Sequence, residues 1–271
     1  MSEDIKHILK SWPADGEGNV RKIMGDDGRE KLQIRVKMAT YHGLFQLECD
    51  GRPDGEEPHG FLFALLYHEN RLAEHVKAGR SEDDFKLSHE EATELFDEGF
   101  MMYQRYILLL NMNDFARVIR DTEHNMRIFR LCNQRAELKE DRHYLEKWWP
   151  YIIRIHYTAK CLRALQKGDN FEALKNVKTA IELIDELDEC DEETFAFERE
   201  RSITTLNNLL EAIENQSPTD EIFVLQNLLE EAVGREEYER AAVIRDRINA
   251  LRTSSDRAPD VMRERGGQGG A

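Results

Sequence analysis

The chain is predicted to be mainly α-helical with a small antiparallel β unit at its N-terminus, an α+β fold whose body is built from stacked helical hairpins. Glycine and proline give the first indication, because half of the 16 glycines and half of the six prolines fall within residues 1–60. No proline occurs from His59 to Trp149 or from Tyr151 to Ser217. Apolar residues in these proline-free stretches recur at three- and four-residue steps, which predicts long amphipathic helices.

The predicted β unit begins with Val20–Met24 and a Gly-Asp-Asp-Gly turn at Gly25–Gly28. The next run, Leu32–Met38, alternates apolar and polar residues, and turn residues between two such runs predict a hairpin. A third run, Leu44–Cys49, completes a meander. Three short strands need a cover for their apolar face, and the helix predicted at Phe61–Lys77 is the expected one. We therefore predict a first domain over residues 1–80.

Helical signals dominate residues 81–216, the predicted body of the protein. Ser88 followed by Glu91 has the form of a capping box, which marks a helix start. The turn at Asn111–Asp114 ends that helix, and a second one follows from Phe115. Pro150 has a position suited to the first turn of another helix.

Three segments share one design, in which an apolar helix is followed by a short polar turn, an aromatic residue and a second helix. They are Leu109–Phe115, Leu165–Phe171 and Ala232–Tyr238. Two antiparallel helices joined in this way form an αα-hairpin. The middle unit, residues 154–187 with Ala173 and Ala180 seven positions apart, resembles a tetratricopeptide-type repeat. The resemblance implies a TPR-like body of stacked hairpins, and an ordinary helix bundle without repeat ancestry is the alternative.

The last hairpin carries the most specific pattern in the chain. An aromatic residue, Tyr238, is followed by Glu-x-Ala-Ala-x-x-Arg-Asp-x-Ile-x-x-Leu, which ends at Leu251. Residues 218–252 with this pattern resemble the UVR motif, a helical hairpin first described in UvrB and UvrC. The resemblance implies a hairpin that pairs with a second copy of the motif in a four-helix bundle. We assign residues 217–252 to this hairpin and predict that residues 253–271 form a disordered tail.

Elementary physics also predicts an interaction module at this hairpin. Two helices alone enclose a thin core, so the hairpin is marginally stable unless it docks on another surface. That surface is either a partner or the preceding helices of the same chain, and both alternatives stay open. The predicted partner-binding residues are Leu225, Leu228, Leu229, Ala232, Tyr238, Ala241, Ala242, Arg245, Asp246, Ile248 and Leu251.

Charge and hydropathy exclude several classes of function. The chain has 38 Lys and Arg against 54 Asp and Glu, a net charge of −16, so we expect no direct contact with nucleic acid. The longest apolar run is far shorter than the ~20 residues of a membrane-spanning helix, so no membrane insertion is expected. Acidic residues near the start, where a signal peptide has basic ones, predict a cytoplasmic protein. The four cysteines lie far apart, which argues against disulfides or a zinc site.

Signals of catalysis are weak. The sequence has no phosphate-binding glycine motif and no His-Glu-x-x-His, and we predict no catalytic residue, no cofactor and no metal ligand. One loop, Asp50–Gly60, supports a second hypothesis, a metal-dependent or anion-binding enzyme. Its candidate residues are Asp50, Arg52, Asp54 and His59, and Asp26 and Asp27 are further candidates for a cation site. The alternative is that turn formation explains the composition of this loop.

These observations favour a non-enzymatic adaptor. By the resemblance, its partner carries a UVR hairpin and belongs to nucleotide excision repair or to a Clp-type stress system, or the chain associates with itself. The chain lacks the nuclease and helicase motifs of the repair enzymes and the zinc cysteines of McsA-type adaptors. The sequence does not choose among these partners.

Overall fold

The computed structural model describes residues 5–12, 19–37, 42–214, 225, 226, 228–230, 232, 233 and 237–255. Of residues 238, 239 and 250–255, it describes only the backbone. The chain divides into two compact units, residues 1–217 and residues 218–271. The predicted division of the first unit near residue 80 stays a prediction, and residues 256–271 of the predicted tail lie outside the described residues.

The N-terminal strands form the antiparallel meander that the sequence predicts. Strands β1 (Val20–Met24), β2 (Glu30–Lys37) and β3 (His42–Glu48) lie side by side in chain order. Ile34 in the central strand pairs with Val20 on one side and with Phe45 on the other. The turn between β1 and β2 closes through a hydrogen bond from Gly28 N to Gly25 O, and Gly28 has a φ of 74°, which glycine adopts without strain.

A polar ladder crosses one face of the sheet. The guanidinium of Arg21 donates to Gln33 Oε1, with a shortest distance of 2.8 Å, and Gln33 Nε2 donates to Gln46 Oε1 at 3.0 Å. At the N-terminal side, Arg21 lies over the Trp12 ring at 4.4 Å from its centroid. These contacts satisfy polar groups that would otherwise be costly to bury.

The described helices agree with the predicted mainly α fold. Short 3-10 turns at Pro58–Gly60, Glu82–Asp84 and Glu146–Trp148 connect several of them. The helices are α1 (Lys6–Ser11), α2 (Ala64–Lys77), α3 (His89–Asn111), α4 (Phe115–Arg135), α5 (Lys139–Tyr144), α6 (Trp149–Gln166), α7 (Asn170–Asp185), α8 (Glu193–Glu214) and α9 (Tyr238–Ser255).

Local sequence signals set the helix ends. The predicted capping box is confirmed, because Ser88 Oγ accepts from Glu91 N and the Glu91 side chain accepts from Ser88 N. The Asp114 side chain caps α4 by accepting from Arg117 N, and Asp169 caps α7 in the same way. Such caps satisfy N–H groups that have no partner inside the helix.

The helices of the first unit pack in hairpin-like pairs. Helix α3 packs on α4, and α7 packs on both α6 and α8. Ala173 and Ala180, the small residues predicted between helices of a repeat, are fully buried in α7. Ala64 and Leu65 at the start of α2 join a core with Leu95 of α3 and residues of α4, so α2 packs on this helical pair.

No helix among the described residues is long and apolar enough to cross a membrane.

Candidate functional site

The predicted loop at Asp50–Gly60 follows directly on β3, and two arginines of α4 bind its first residue. Arg117 Nε and Nη2 donate to the two carboxylate oxygens of Asp50 at 3.0 and 2.7 Å. Arg120 Nη1 also donates to Asp50, and its Nη2 donates to Cys49 O at 2.7 Å. The hydrogen bonds from Arg117, and then those from Arg120, lower the pKa of Asp50 to about 2. The carboxylate therefore joins the sheet to α4.

A buried arginine of α3 holds the backbone on both sides of Asp50. Arg105 is fully buried, and its Nη1 donates to Glu48 O at 2.9 Å and to Gly51 O at 2.7 Å. Its Nε and Nη2 donate to both oxygens of Asp121, at 2.7 and 2.8 Å, and Asp121 is 1% exposed. A bidentate pair of this kind is strong and directional. The start of the loop is therefore fixed by buried charge.

The sequence pattern did not point to these basic residues or to Asp121. One feature of the sequence could have identified Arg105 as a buried, paired residue. It is a cation within the apolar face of α3, where Met102, Tyr106 and Leu109 are buried. A long charged residue on a buried helix face is rare unless it is paired.

The next two candidates of the loop bind each other. Arg52 Nε lies 3.2 Å from Asp54 Oδ2, and Asp54 Oδ1 accepts from Glu56 N at 3.0 Å. The second bond is a local turn of the kind that aspartate favours. Arg52 Nε also lies 3.9 Å from Glu98, whose buried carboxylate accepts from the backbone N–H groups of Ala64 and Leu65. Glu98 thus caps α2 from a neighbouring helix.

His59 lies at the other end of the loop in a left-handed conformation, with a φ of 54°. Its ring stacks on Tyr67 with centroids 4.0 Å apart, and its Nε2 lies 3.0 Å from Glu94 Oε1. Buried His68 places its Nε2 3.1 Å from Glu94 Oε2. Arg71 Nη1 lies 3.2 Å from His68 Nδ1, so both ring nitrogens of His68 have polar partners.

This arrangement does not converge on a cation. Both ring nitrogens of His68 are held by protein side chains, Glu94 and Arg71. Asp27 is bound by Lys31 at 2.9 Å, and Asp50 and Asp54 are bound by arginines. In the part of the chain that the structure describes, no group of three or more His, Cys, Asp or Glu side chains is arranged to hold a metal ion. Turn formation and arginine pairing account for the observed contacts of Asp50, Arg52 and Asp54.

We predict that Asp50→Asn lowers the free energy of unfolding by about 1 kcal/mol at pH 7, because exposed ion pairs are screened and Asp50 is 55% exposed. The pKa of Asp50 is about 2 in the folded state and ~3.9 in the unfolded state. The stabilisation that the Asp50 carboxylate gives to the wild-type fold is therefore present above pH ~4 and is lost as the pH falls through 2. Urea unfolding at several pH values measures it. An equal difference between the two proteins at pH 2 and pH 7 would contradict this assignment.

The second candidate site is the C-terminal segment with the UVR-like pattern, which has helical residues on both sides of residues 234–236. Positions 225, 226, 228–230, 232 and 233 are helical, and α9 begins at Tyr238. Glu237 N donates to Ala232 O at 2.8 Å, which brings the two helical segments together. This agrees with the predicted αα-hairpin.

The structure divides the predicted partner-binding residues into two sets. Leu225, Leu228 and Ala232 are buried at three- and four-residue spacing, and in α9 so are Ala241 and Ile248. Ile244, which sequence analysis did not select, is fully buried between them. These spacings give each helix one apolar buried face.

The other set lies on the outside of the hairpin. Arg245 and Asp246 are 62% and 54% exposed, and their side chains form an ion pair at 3.2 Å. Leu229 and Ala242 are partly buried, and Val233, which is not among the predicted partner-binding residues, is 52% exposed. The side chains of Tyr238 and Leu251 lie outside the described residues. Of the predicted residues whose side chains are described, Arg245, Asp246, Leu229 and Ala242 are accessible to a partner, whereas the first set is buried.

Comparison with known proteins agrees with the predicted resemblance. The family model described as the UvrB/uvrC motif, UVR, matches residues 221–254. No curated protein and no solved structure matches the chain.

Proposed function

We propose that this chain is a non-enzymatic adaptor that binds a second UVR hairpin through the outer surface of its own. The main support for this proposal is the match of the UVR family model to residues 221–254. The exposed charges of Arg245 and Asp246 and the exposed apolar side chain of Val233 lie on this hairpin. Such a surface offers apolar contact area together with charges that select the partner.

The Arg245–Asp246 pair supports binding to an identical hairpin of a second copy of this chain as well as binding to a different protein. Arg245 and Asp246 are adjacent and opposite in sign. In a twofold arrangement each surface meets its own copy, so Arg245 of one chain can face Asp246 of the other. The alternative partner is a UVR-containing protein of nucleotide excision repair or of a Clp-type stress system.

The proposed TPR-like body is supported by the helix packing of the first unit, and the proposed cytoplasmic location is supported by the cysteines. Residues 81–216 provide a TPR-like scaffold of paired helices, supported by the buried alanines of α7. The proposed location is the cytoplasm. Cys49 and Cys132 are buried free thiols and Cys190 is a partly exposed one, as cysteines are in a reducing compartment. We expect partner recruitment rather than direct contact with nucleic acid, given the net charge of −16.

Deleting residues 218–252 is expected to remove the UVR-containing partner from a pull-down with the tagged chain and to abolish any self-association in light scattering. Full-length Lys175→Glu, a change of an exposed residue in α7, is the matched control and should retain both. An unchanged partner set and an unchanged oligomeric state after the deletion would refute the adaptor function.

Charge reversal separates the two partner classes. Arg245→Glu should weaken both kinds of complex. Adding Asp246→Arg restores complementarity only when both chains carry the swap, so recovery of the double variant indicates self-association. Continued loss of binding to a wild-type partner indicates a heterologous complex.

A further inference from the structure

Helices α4 and α6 of the first unit carry three cations that have no ionic partner. Arg130 of α4 and Arg163 of α6 are exposed, and Lys160 of α6 is partly exposed. None of the three forms an ion pair with any residue that the structure describes, and the exposed Glu123, two turns before Arg130 on α4, does not pair with them. Unpaired cations are unexpected in a chain whose acidic residues outnumber its basic ones by 54 to 38. They are available to an anionic ligand.

A buried histidine of α6 lies beside two of these cations, Arg130 and Lys160. His156 is 7% exposed, and its Nδ1 lies 2.9 Å from Thr122 Oγ1 of α4. The same hydroxyl donates to Ile119 O at 3.0 Å, so Thr122 and Ile119 hold the Nδ1 side of the ring. Within the described part of the chain, no group forms a hydrogen bond with His156 Nε2. A polar side chain this deeply buried usually has partners for all its polar atoms, whereas Nε2 is open to an incoming group.

The electrostatics of His156 show that the two cations act on the same place. Burial, and then the positive charges of Lys160 and Arg130, lower the pKa of His156 to about 4, although a hydrogen bond with the Ile119 backbone raises it. Charges have such an effect only when they are close to the ring. The neutral imidazole therefore lies in a local field of positive charge, which a carboxylate placed there would offset.

Aromatic rings hold the two cations in place. The guanidinium of Arg130 lies 5.6 Å from the Trp149 ring centroid, and Lys160 Nζ lies 4.8 Å from that of Tyr157. Both distances are within the ~6 Å limit for an attractive cation–π contact. A contact with a ring face occupies no carboxylate, so both cations keep hydrogen-bond donors for an oxygen ligand. Side chains that are already held lose less entropy when a ligand binds.

The position of the cations within their helices favours a carboxylate over a phosphate. Phosphate sites commonly use free backbone N–H groups at a helix N-terminus or in a turn. Arg130 and Lys160 lie well inside α4 and α6, where the backbone N–H groups are bonded within the helix. The donors on this surface are therefore those of side chains, and guanidinium and ammonium groups bind carboxylates through short, charge-assisted hydrogen bonds.

We propose that this surface binds an acidic segment of a partner protein, with one carboxylate held between Arg130 and Lys160 and facing His156 Nε2. Lys160 and Arg163 are three residues apart on one side of α6, so a second carboxylate of the segment can reach Arg163. Charge complementarity identifies the partner as a segment rich in aspartate or glutamate. The surface belongs to the first unit and does not depend on the UVR hairpin, and it gives the adaptor a second class of partner.

The test uses the full chain and a fluorescent peptide of alternating glycine and glutamate, with a glycine–lysine peptide as the charge control. At ~0.15 M salt, where long-range attraction is screened, we expect anisotropy to report binding of the glutamate peptide alone. Arg130→Gln combined with Lys160→Gln should weaken binding at least tenfold, because charge-assisted hydrogen bonds are lost. The matched pair Lys77→Gln and Arg80→Gln removes the same two charge types from exposed positions elsewhere and should stay within twofold.

The ring of His156, followed by NMR, reports whether a carboxylate enters the site. Its pKa should rise when the glutamate peptide is saturating, because a nearby carboxylate favours the protonated ring. Absence of binding, equal weakening by both double variants, or an unchanged pKa of His156 would each overturn the proposal. Tighter binding of an oligothymidylate than of a peptide with the same net charge would also overturn it, since the surface would then be a nucleic-acid site. None of these results bears on the hairpin, whose deletion tests the proposed function separately.

Discussion

Asp121→Asn is expected to lower the free energy of unfolding of the first unit by about 3–5 kcal/mol, the usual cost of removing one partner of a buried ion pair. Asp121 is the bidentate partner of Arg105, and both residues are at most 1% exposed. An amide at this position leaves the guanidinium charged and without a carboxylate in the interior. Urea unfolding followed by far-UV circular dichroism measures the difference.

The matched control is Asp97→Asn, the same chemical change at an exposed position of α3. It should alter stability by less than about 0.5 kcal/mol, as surface substitutions usually do. A loss below 1 kcal/mol for Asp121→Asn would show that the pair adds little to the fold.

The same substitution should also loosen the loop that contains Asp50. Arg105 Nη1 donates to Glu48 O and Gly51 O, so its position fixes the backbone where β3 ends. Faster hydrogen exchange across residues 48–52 is therefore expected in the variant, with little change in α7. This pattern distinguishes a local effect of the pair from uniform destabilisation.

The elements that sequence analysis predicted are those that local interactions specify. The meander follows from alternating residues and from a turn at Gly25–Gly28, and the start of α3 follows from the Ser88–Glu91 capping box. The helix pairs follow from short polar turns such as Asn111–Asp114. Each signal operates within a few residues, where spacing determines geometry.

The contacts of the loop could not be predicted in this way, because they join residues far apart in the chain. Asp50 and Arg117 are 67 positions apart, and Glu98 caps α2 from 34 positions beyond Ala64. Such pairs depend on how helices and strands pack together. Sequence alone therefore left open whether the charged loop held a ligand or held the fold together.

The hairpin shows a similar limit on a smaller scale. The UVR pattern is contiguous and was recognised from residues alone, and the family model matches the same segment. The rotation of each helix was harder to infer, because adjacent residues differ by about 100° around the axis. Ala241 and Ala242 look equivalent in sequence, but Ala241 is buried and Ala242 is partly exposed.

That difference predicts two distinct outcomes for the same substitution. Ala241→Glu is expected to unfold the hairpin, because burying an unpaired carboxylate costs several kcal/mol and a two-helix unit has little stability in reserve. Ala242→Glu should leave the hairpin folded and weaken its complex at least 100-fold, because the charge enters the proposed interface. Hydrogen exchange over residues 225–255 reports folding, and light scattering or pull-down reports association.

The decisive comparison is between these two variants. Both variants introduce the same negative charge. A nonspecific effect of that charge would change association by the same amount in the two variants, and their hydrogen exchange would also be the same. Exchange should instead rise only in Ala241→Glu, while association is lost in both. If the Ala242→Glu variant still associates, the partner binds another face of the hairpin. If the amides of the Ala241→Glu variant stay protected from exchange, the hairpin folds without an apolar residue at position 241. The separation of folding from binding at two neighbouring alanines thus tests which surface of the motif remains available to a partner.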